Sequence, residues 1–407
     1  MRPSIISFFV ILLALPASTT RNDVQAPRLI THEDGITGEY IVALAPRLPA
    51  GNLDLVVAEL VREFGGELIR QYRNVFPGFS VRLRDEQALA LSRHPAVALV
   101  EQNIPVYPSG VQINPANWAL DRIDQRSASL NYSYSYTSTG NGVNVYIVDS
   151  GIRFDHAEFG GRAVFAVDFV NDGRAGWDCY GHGTAVAGLV GGSIYGVAKQ
   201  ARLHSVRILG CQRDDSSDSE RMISAFEWLI YHHVKPAVVN VSFNYNQPST
   251  RVLPCEQRQP HILINEAARA LLAAGVPLVN SAGNQDCPVN TAPALADRNV
   301  IVVGSTWWNG VDRWQNYTAW GGDVDVWAPG NYLTTASNSS STAWGYFSNT
   351  SASAAVVSGV VARYLETHPG ASPGGVNFYL ISNATRGIIQ GLPDYSGGAM
   401  IYADPQL

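Results

Sequence analysis

Beyond its first twenty residues the chain contains no apolar run of membrane-spanning length, which excludes a later transmembrane anchor. It also lacks a basic surplus: a net charge of −6 argues against a nucleic-acid binder. No dinucleotide or phosphate motif is present. Cysteine is scarce, four residues in 407, and no pair has metal-finger spacing. No Gly-x-Ser-x-Gly elbow surrounds Ser351, the serine singled out below, so an α/β-hydrolase is not expected. The remainder is a globular composition with room for two or three domains. Nothing in it calls for an oligomer, and a monomer is expected.

What is there begins with Ile5–Ala17, an apolar run preceded by Arg2 and followed by Ser18 and Thr19. That order of charge, core and small residues is a secretory signal peptide over residues 1–19, too short to span a bilayer comfortably. The mature protein is therefore expected outside the cell. Export permits disulfides among Cys179, Cys211, Cys255 and Cys287. Three pairings are open; Cys179–Cys211 with Cys255–Cys287 is preferred because local loops close most simply. Sequons at Asn131, Asn240, Asn316, Asn338, Asn349 and Asn383 allow N-glycosylation in a eukaryotic host, with Asn240 and Asn349 expected bare.

Residues 20–110 form a first domain. Asn22–Gly35 is polar and expected to be mobile. Strands at Glu39–Leu44, Glu67–Arg73, Gly78–Leu83 and Val97–Gln102 then enclose helices at Leu53–Phe64 and Glu86–Arg93. The order βαββαβ is the ferredoxin-like split arrangement. Ile104–Gly110 follows as a proline-marked linker. A signal peptide before such a module and a larger domain behind it point to a propeptide cut near this linker.

Residues 111–407 alternate strand and helix. Val143–Val148, Ser205–Leu209, Ala237–Val241, Val276–Asn280 and Val300–Gly304 are near-continuous apolar runs, with helices at Glu220–His232 and His261–Ala274 between them. Such strands imply a parallel sheet covered on both faces, with ligands beyond its carboxyl ends. Asp149 closes the first of these runs, before Ser150 and Gly151. His182 stands between Gly181 and Gly183 ahead of a small-residue helix. Asn284 ends Asn280–Asn284, where a carboxamide offers a donor without charge. Ser351 opens a helix in which Val356, Val357, Val360, Val361 and Tyr364 recur at helical spacing, placing it beside free N–H groups and a positive dipole end. Each alone reads as readily as a turn, a cap or a loop residue; together they supply an acid, a base, an oxyanion donor and a nucleophile.

With these residues in place the chain resembles the subtilases, the proteinase K-like branch most of all. The resemblance rests on Ile147–Ile152 (IVDSGI), Tyr180–Gly188 (YGHGTAVAG), Asn280–Asn284 (NSAGN) and Asn349–Gly359 (NTSASAAVVSG), in the Asp, His, Ser order of subtilisin. It implies a parallel-sheet α/β catalytic domain after a small α+β propeptide that acts as an intramolecular inhibitor. It implies a secreted endopeptidase acting on polypeptides through Ser351, His182 and Asp149, with Asn284 in the oxyanion hole. Substrate is expected along Val241, Ser242, Phe243 and Asn244, opposite Ser281, Ala282 and Gly283. No cofactor is required; Asp325 falls where one ligand of a structural calcium is often found, although surface solvation is the favoured reading.

The chain also departs from the family pattern. Asn244 and Asn349 occupy glycine positions, Ala352 replaces a methionine, Ala355 a proline and Ala185 a histidine. A binding protein that has lost turnover, or an enzyme that transfers its acyl group to an amine, are the alternatives.

Overall fold

The computed structural model describes residues 28–32, 35–45, 53–103, 110–212, 219–242, 255, 261–289 and 297–407. The chain divides into two compact units, residues 1–107 and 108–407. The signal segment, most of the linker, Phe243 and Asn244 lie outside the described residues.

In the first unit, Glu39–Leu44, Glu67–Tyr72, Gly78–Arg82 and Val97–Gln102 form an antiparallel sheet with helices Leu53–Glu63 and Asp85–Leu91. Alternation along Glu39–Leu44 turns Tyr40, Val42 and Leu44 into a core shared with Val57 and Leu60 of the first helix. The sequence reading missed one strand. Leu29–Ile30, within the segment expected to be mobile, pairs in parallel with Val100 and Glu101. Two residues carry no periodicity from which a strand is read.

The second unit is built on a ten-stranded sheet. Its central strands and the helices between them are β1 (Asn144–Asp149), β2 (Ala163–Asp168), α1 (His182–Gly191), β3 (Arg202–Arg207), α2 (Ser219–His232), β4 (Ala237–Val241), α3 (Ile262–Ala273), β5 (Leu278–Ser281), β6 (Ile301–Trp308) and β7 (Val326–Pro329). Their spatial order is β7-β6-β5-β4-β1-β3-β2, all parallel. A two-stranded hairpin follows, β8 (Leu333–Ala336) with β9 (Trp344–Phe347), leading into α4 (Thr350–Thr367).

Strand β1 shows why its sequence is apolar throughout. Val145 and Ile147 point into a core filled by α1 and α4, while Tyr146 and Val148 point into another filled by α2 and α3. Helix α4 is buried along almost its whole length, from Thr350 to Ala362 without interruption. Met222 and Met400 both lie inside the second core. From β1 the chain moves to β2 and β3 on one side, then to β4 on the other. Strand order reverses there, and the carboxyl ends of β1 and β4 open a crevice of the kind that holds ligands in such sheets.

Candidate active site

Asp149 is the last residue of β1 and is fully buried. The chain turns at once through Gly151 (φ 109°), where a Cβ would sit 2.6 Å from the Gly176 carbonyl oxygen. His182 begins α1, and its Nδ1 lies 2.8 Å from both carboxylate oxygens of Asp149. Gly183, next in line, packs so closely that a Cβ would meet the Gly151 carbonyl at 2.2 Å. The glycines therefore let the two chain turns close on each other and bring acid and imidazole into contact.

Burial opposes the charged imidazole, but the Asp149 charge and hydrogen bond, with Asp178 behind them, outweigh it and hold the His182 pKa above its usual 6.5. Asp178 is a feature that sequence reasoning missed. Its Oδ1 accepts the Ser150 hydroxyl and the Tyr180 and Gly181 N–H groups, and its Oδ2 accepts from Thr184 Oγ1 and N. One carboxylate thus ties the Asp149 turn to the start of α1.

Ser351 stands in the first turn of α4. Its Oγ donates to the Ser242 carbonyl at 2.7 Å rather than to His182, and its backbone N–H makes no hydrogen bond among the described residues. Asn284 faces it. The amide oxygen of Asn284 accepts both the Thr350 N–H (3.0 Å) and the Thr350 hydroxyl (2.7 Å), which leaves its Nδ2 to serve as a donor. Thr350 is thus a positioning residue for Asn284. His182, Ser242, Asn284 and Ser351 line one cavity of about 280 Å³, together with Tyr180, Leu209 and Gln285.

The other expected binding residues divide. Ser242 joins the cavity and is anchored beneath it: its hydroxyl donates to Asn240 Oδ1 (2.7 Å), while Asn240 Nδ2 donates to Ser358 of α4 (2.9 Å). Val241, Ser281 and Ala282 are buried in the walls rather than along the cavity. Gly283 (φ 117°) makes the turn that brings Asn284 round, and its N–H donates to Thr350 Oγ1.

Cys179 is bonded to Cys211 and Cys255 to Cys287. The first bridge joins the segment before His182 to the end of β3. Beside it Arg207, fully buried, donates to Asp168, to both oxygens of Asp172 and, through Nε, to the Ser150 carbonyl. Those bonds lower the Asp172 pKa to about 2. Asp172, Cys179 and Cys211 converge, but the cysteines hold each other and Asp172 holds Arg207, so this is no metal cage. Nor does Asp325 meet calcium's demand for six or more oxygens by itself. Its Oδ2 accepts the Val302 N–H at 2.8 Å, and no group of three acidic, histidine or cysteine side chains forms around it among the described residues. Burial raises the Asp325 pKa to about 6.

Residues 140–398 match the model described as the subtilase family, and residues 40–109 match peptidase inhibitor I9. An extracellular serine proteinase of Thermus sp. (strain Rt41A) is 34% identical over 95% of this chain and 94% of its own. Proteinase R of Parengyodontium album is 29% identical over 89% of this chain and 88% of its own. A solved structure, that of a cold adapted subtilisin-like serine proteinase, matches with a TM-score of 0.63 at 31% identity, covering 71% of this chain and 98% of its own.

Proposed function

Because the chain belongs to the subtilase family and is a subtilisin-like serine peptidase with an I9 propeptide, we propose that it is a secreted endopeptidase made as a self-processed precursor. Residues 1–19 are its signal peptide, 20–110 its inhibitory propeptide and 111–407 its catalytic domain. The Thermus relative is named an extracellular serine proteinase, and no helix among the described residues is long and apolar enough to cross a membrane.

The observation that carries the mechanism is the 2.8 Å contact of buried Asp149 with His182, which itself lines one cavity with Ser351 and Asn284. Ser351 Oγ rotates from the Ser242 carbonyl toward His182, gives its proton to the imidazole and attacks the peptide carbonyl. The oxyanion is met by the Ser351 N–H and Asn284 Nδ2. His182 then passes the proton to the leaving amine as the C–N bond breaks, and water releases the acyl group by the same route in reverse. Asp149 holds the tautomer and stabilises the imidazolium. The chemistry uses no cofactor.

The test is the mass and N-terminal sequence of wild type beside Ser351→Ala, both produced through a secretory route. Conversion of the wild type alone to a chain beginning near Gly110 or Val111 is expected. If both stay full length, a binding protein without turnover becomes the better reading.

A further inference from the structure

On the far side of His182 from Ser242 lies a second cavity of about 480 Å³, which shares Tyr180 and His182 with the first and is walled by β8 and β9. The oxyanion donors and Ser242 belong to the first cavity, so the acyl part of a substrate lies there. The amine that receives the His182 proton therefore leaves over the second. Strand β9 alternates: Phe347 turns inward, its ring edge-on to His182 at 5.1 Å, while Trp344 and Tyr346 are exposed, Tyr346 at the rim of the second cavity.

Those exposed rings form a strip. Trp344, Tyr346 and Tyr332 are 57%, 65% and 68% exposed, a large apolar area for one short hairpin. Trp344 meets Tyr346 at 5.9 Å and Tyr346 meets Tyr332 at 6.1 Å, both edge to face. Asn331, adjacent to Tyr332, then lines an open hollow of about 470 Å³ with Trp314, Tyr317, Asn316 and Gln390. The side-chain amides of Asn316 and Gln390 make no hydrogen bond among the described residues, and each offers a donor and an acceptor. Rings that receive apolar side chains, followed by free carboxamides that match backbone N–H and C=O groups, suit an extended polypeptide. The strip starts where a cut chain would emerge.

We infer that the outer face of the β8–β9 hairpin and the adjoining hollow form a docking strip for the leaving-group side of polypeptide substrates, favouring aromatic and large apolar residues there. The inference rests on the peptidase reading above. It makes Trp344, Tyr346 and Tyr332 specificity determinants lying outside the reacting groups.

Two substrate types separate this from the peptidase reading itself. A peptidyl p-nitroanilide carries a single ring beyond the scissile bond, over the second cavity, and stops short of Trp344 and Tyr332, which do not line that cavity. Internally quenched peptides with the same acyl side carry four further residues, either aromatic and leucine or glycine and serine. In wild type the apolar extension is expected to raise kcat/KM roughly tenfold over the polar one, the scale of one or two ring contacts. Trp344→Ala with Tyr332→Ala removes that gain and leaves p-nitroanilide turnover and the melting temperature unchanged, since both side chains are exposed and neither lines the second cavity.

No gain in wild type, or a gain that survives both substitutions, overturns the strip while leaving the peptidase intact. Absence of p-nitroanilide turnover in wild type overturns both. Retention of Ser351→Ala by a soluble polysaccharide, lost in Tyr346→Ala and accompanied by no gain on extended peptides, gives the surface to glycans and overturns the inference.

Discussion

At the scale of single residues, His182 connects structure to pH in two opposite directions. A base must be neutral, so with its pKa held above 6.5 the acid limb of kcat/KM is expected to have its midpoint above pH 6.5. A pH profile on a p-nitroanilide checks this, and activity that stays flat to about pH 4 would remove His182 from the mechanism. Stability runs the other way. A raised folded-state pKa contributes fully below 6.5 and is lost as pH rises through the raised value, so the protein gains activity over the range in which this pair stops helping the fold.

Thr350 gives a second prediction at this scale. Thr350→Val removes the hydroxyl that pins Asn284 and is expected to lower kcat roughly tenfold with little change in KM, about one hydrogen bond's worth, while Thr350→Ser restores it. Asn284→Ala is expected to cost more, about 10² to 10³ in kcat, a magnitude known for subtilisin and carried over from it. The four residues proposed to carry the reaction were legible as candidates because each sits in its own short motif at a strand end or helix start. The grips of Thr350 on Asn284, Asp178 on Ser150 and Arg207 on Asp172 were not. Each joins residues separated by 28 to 66 positions, and such pairs leave no local pattern.

At the scale of elements, the strained point is the start of α4. Asn349, its N-cap, has φ 82° and ψ −176°, a region essentially reserved for glycine and costing other residues about 1 to 3 kcal/mol. Its N–H donates to the Gly330 carbonyl at 2.6 Å and its own carbonyl accepts from Ala352 and Ser353, which over-determines the conformation. Asn349→Gly is expected to raise unfolding free energy by roughly 1 kcal/mol. Urea denaturation in a Ser351→Ala background, free of self-digestion, checks it; no change would mean the backbone relaxes. Elements were otherwise the most legible level. The apolar runs of β1, β4 and β6 follow from burial on two faces, α2 from one buried stripe and α4 from burial all round, whereas Leu29–Ile30 takes its strand form from Val100 and Glu101 alone.

At the scale of the whole molecule, the Cys179–Cys211 bridge closes a loop with a sequence separation of 32, for which chain entropy alone gives about 3 to 4 kcal/mol. Replacing both cysteines by serine is expected to lower the melting temperature by several degrees. Because Cys179 lies three residues before His182, thermal inactivation should fall in step with unfolding; activity that outlasts the melt would show the bridge to be remote from the site. Asp172, with its pKa lowered to about 2 by Arg207, adds stability that is present above about pH 4, its ordinary value, and lost as the pH falls toward 2.

The same bridges bear on endurance. Among the described residues every cysteine is already paired, and Met222 and Met400 are shut inside the core. The residue after the proposed nucleophile is Ala352, and among the described residues the cavity that holds Ser351 is lined by no sulfur. Peroxide and hypochlorite attack thiolates and accessible thioethers first. Pre-incubation with millimolar peroxide is therefore expected to leave both turnover and intact mass unchanged, and this molecule is equipped to keep cutting in oxidising surroundings that silence peptidases with a thioether beside the serine.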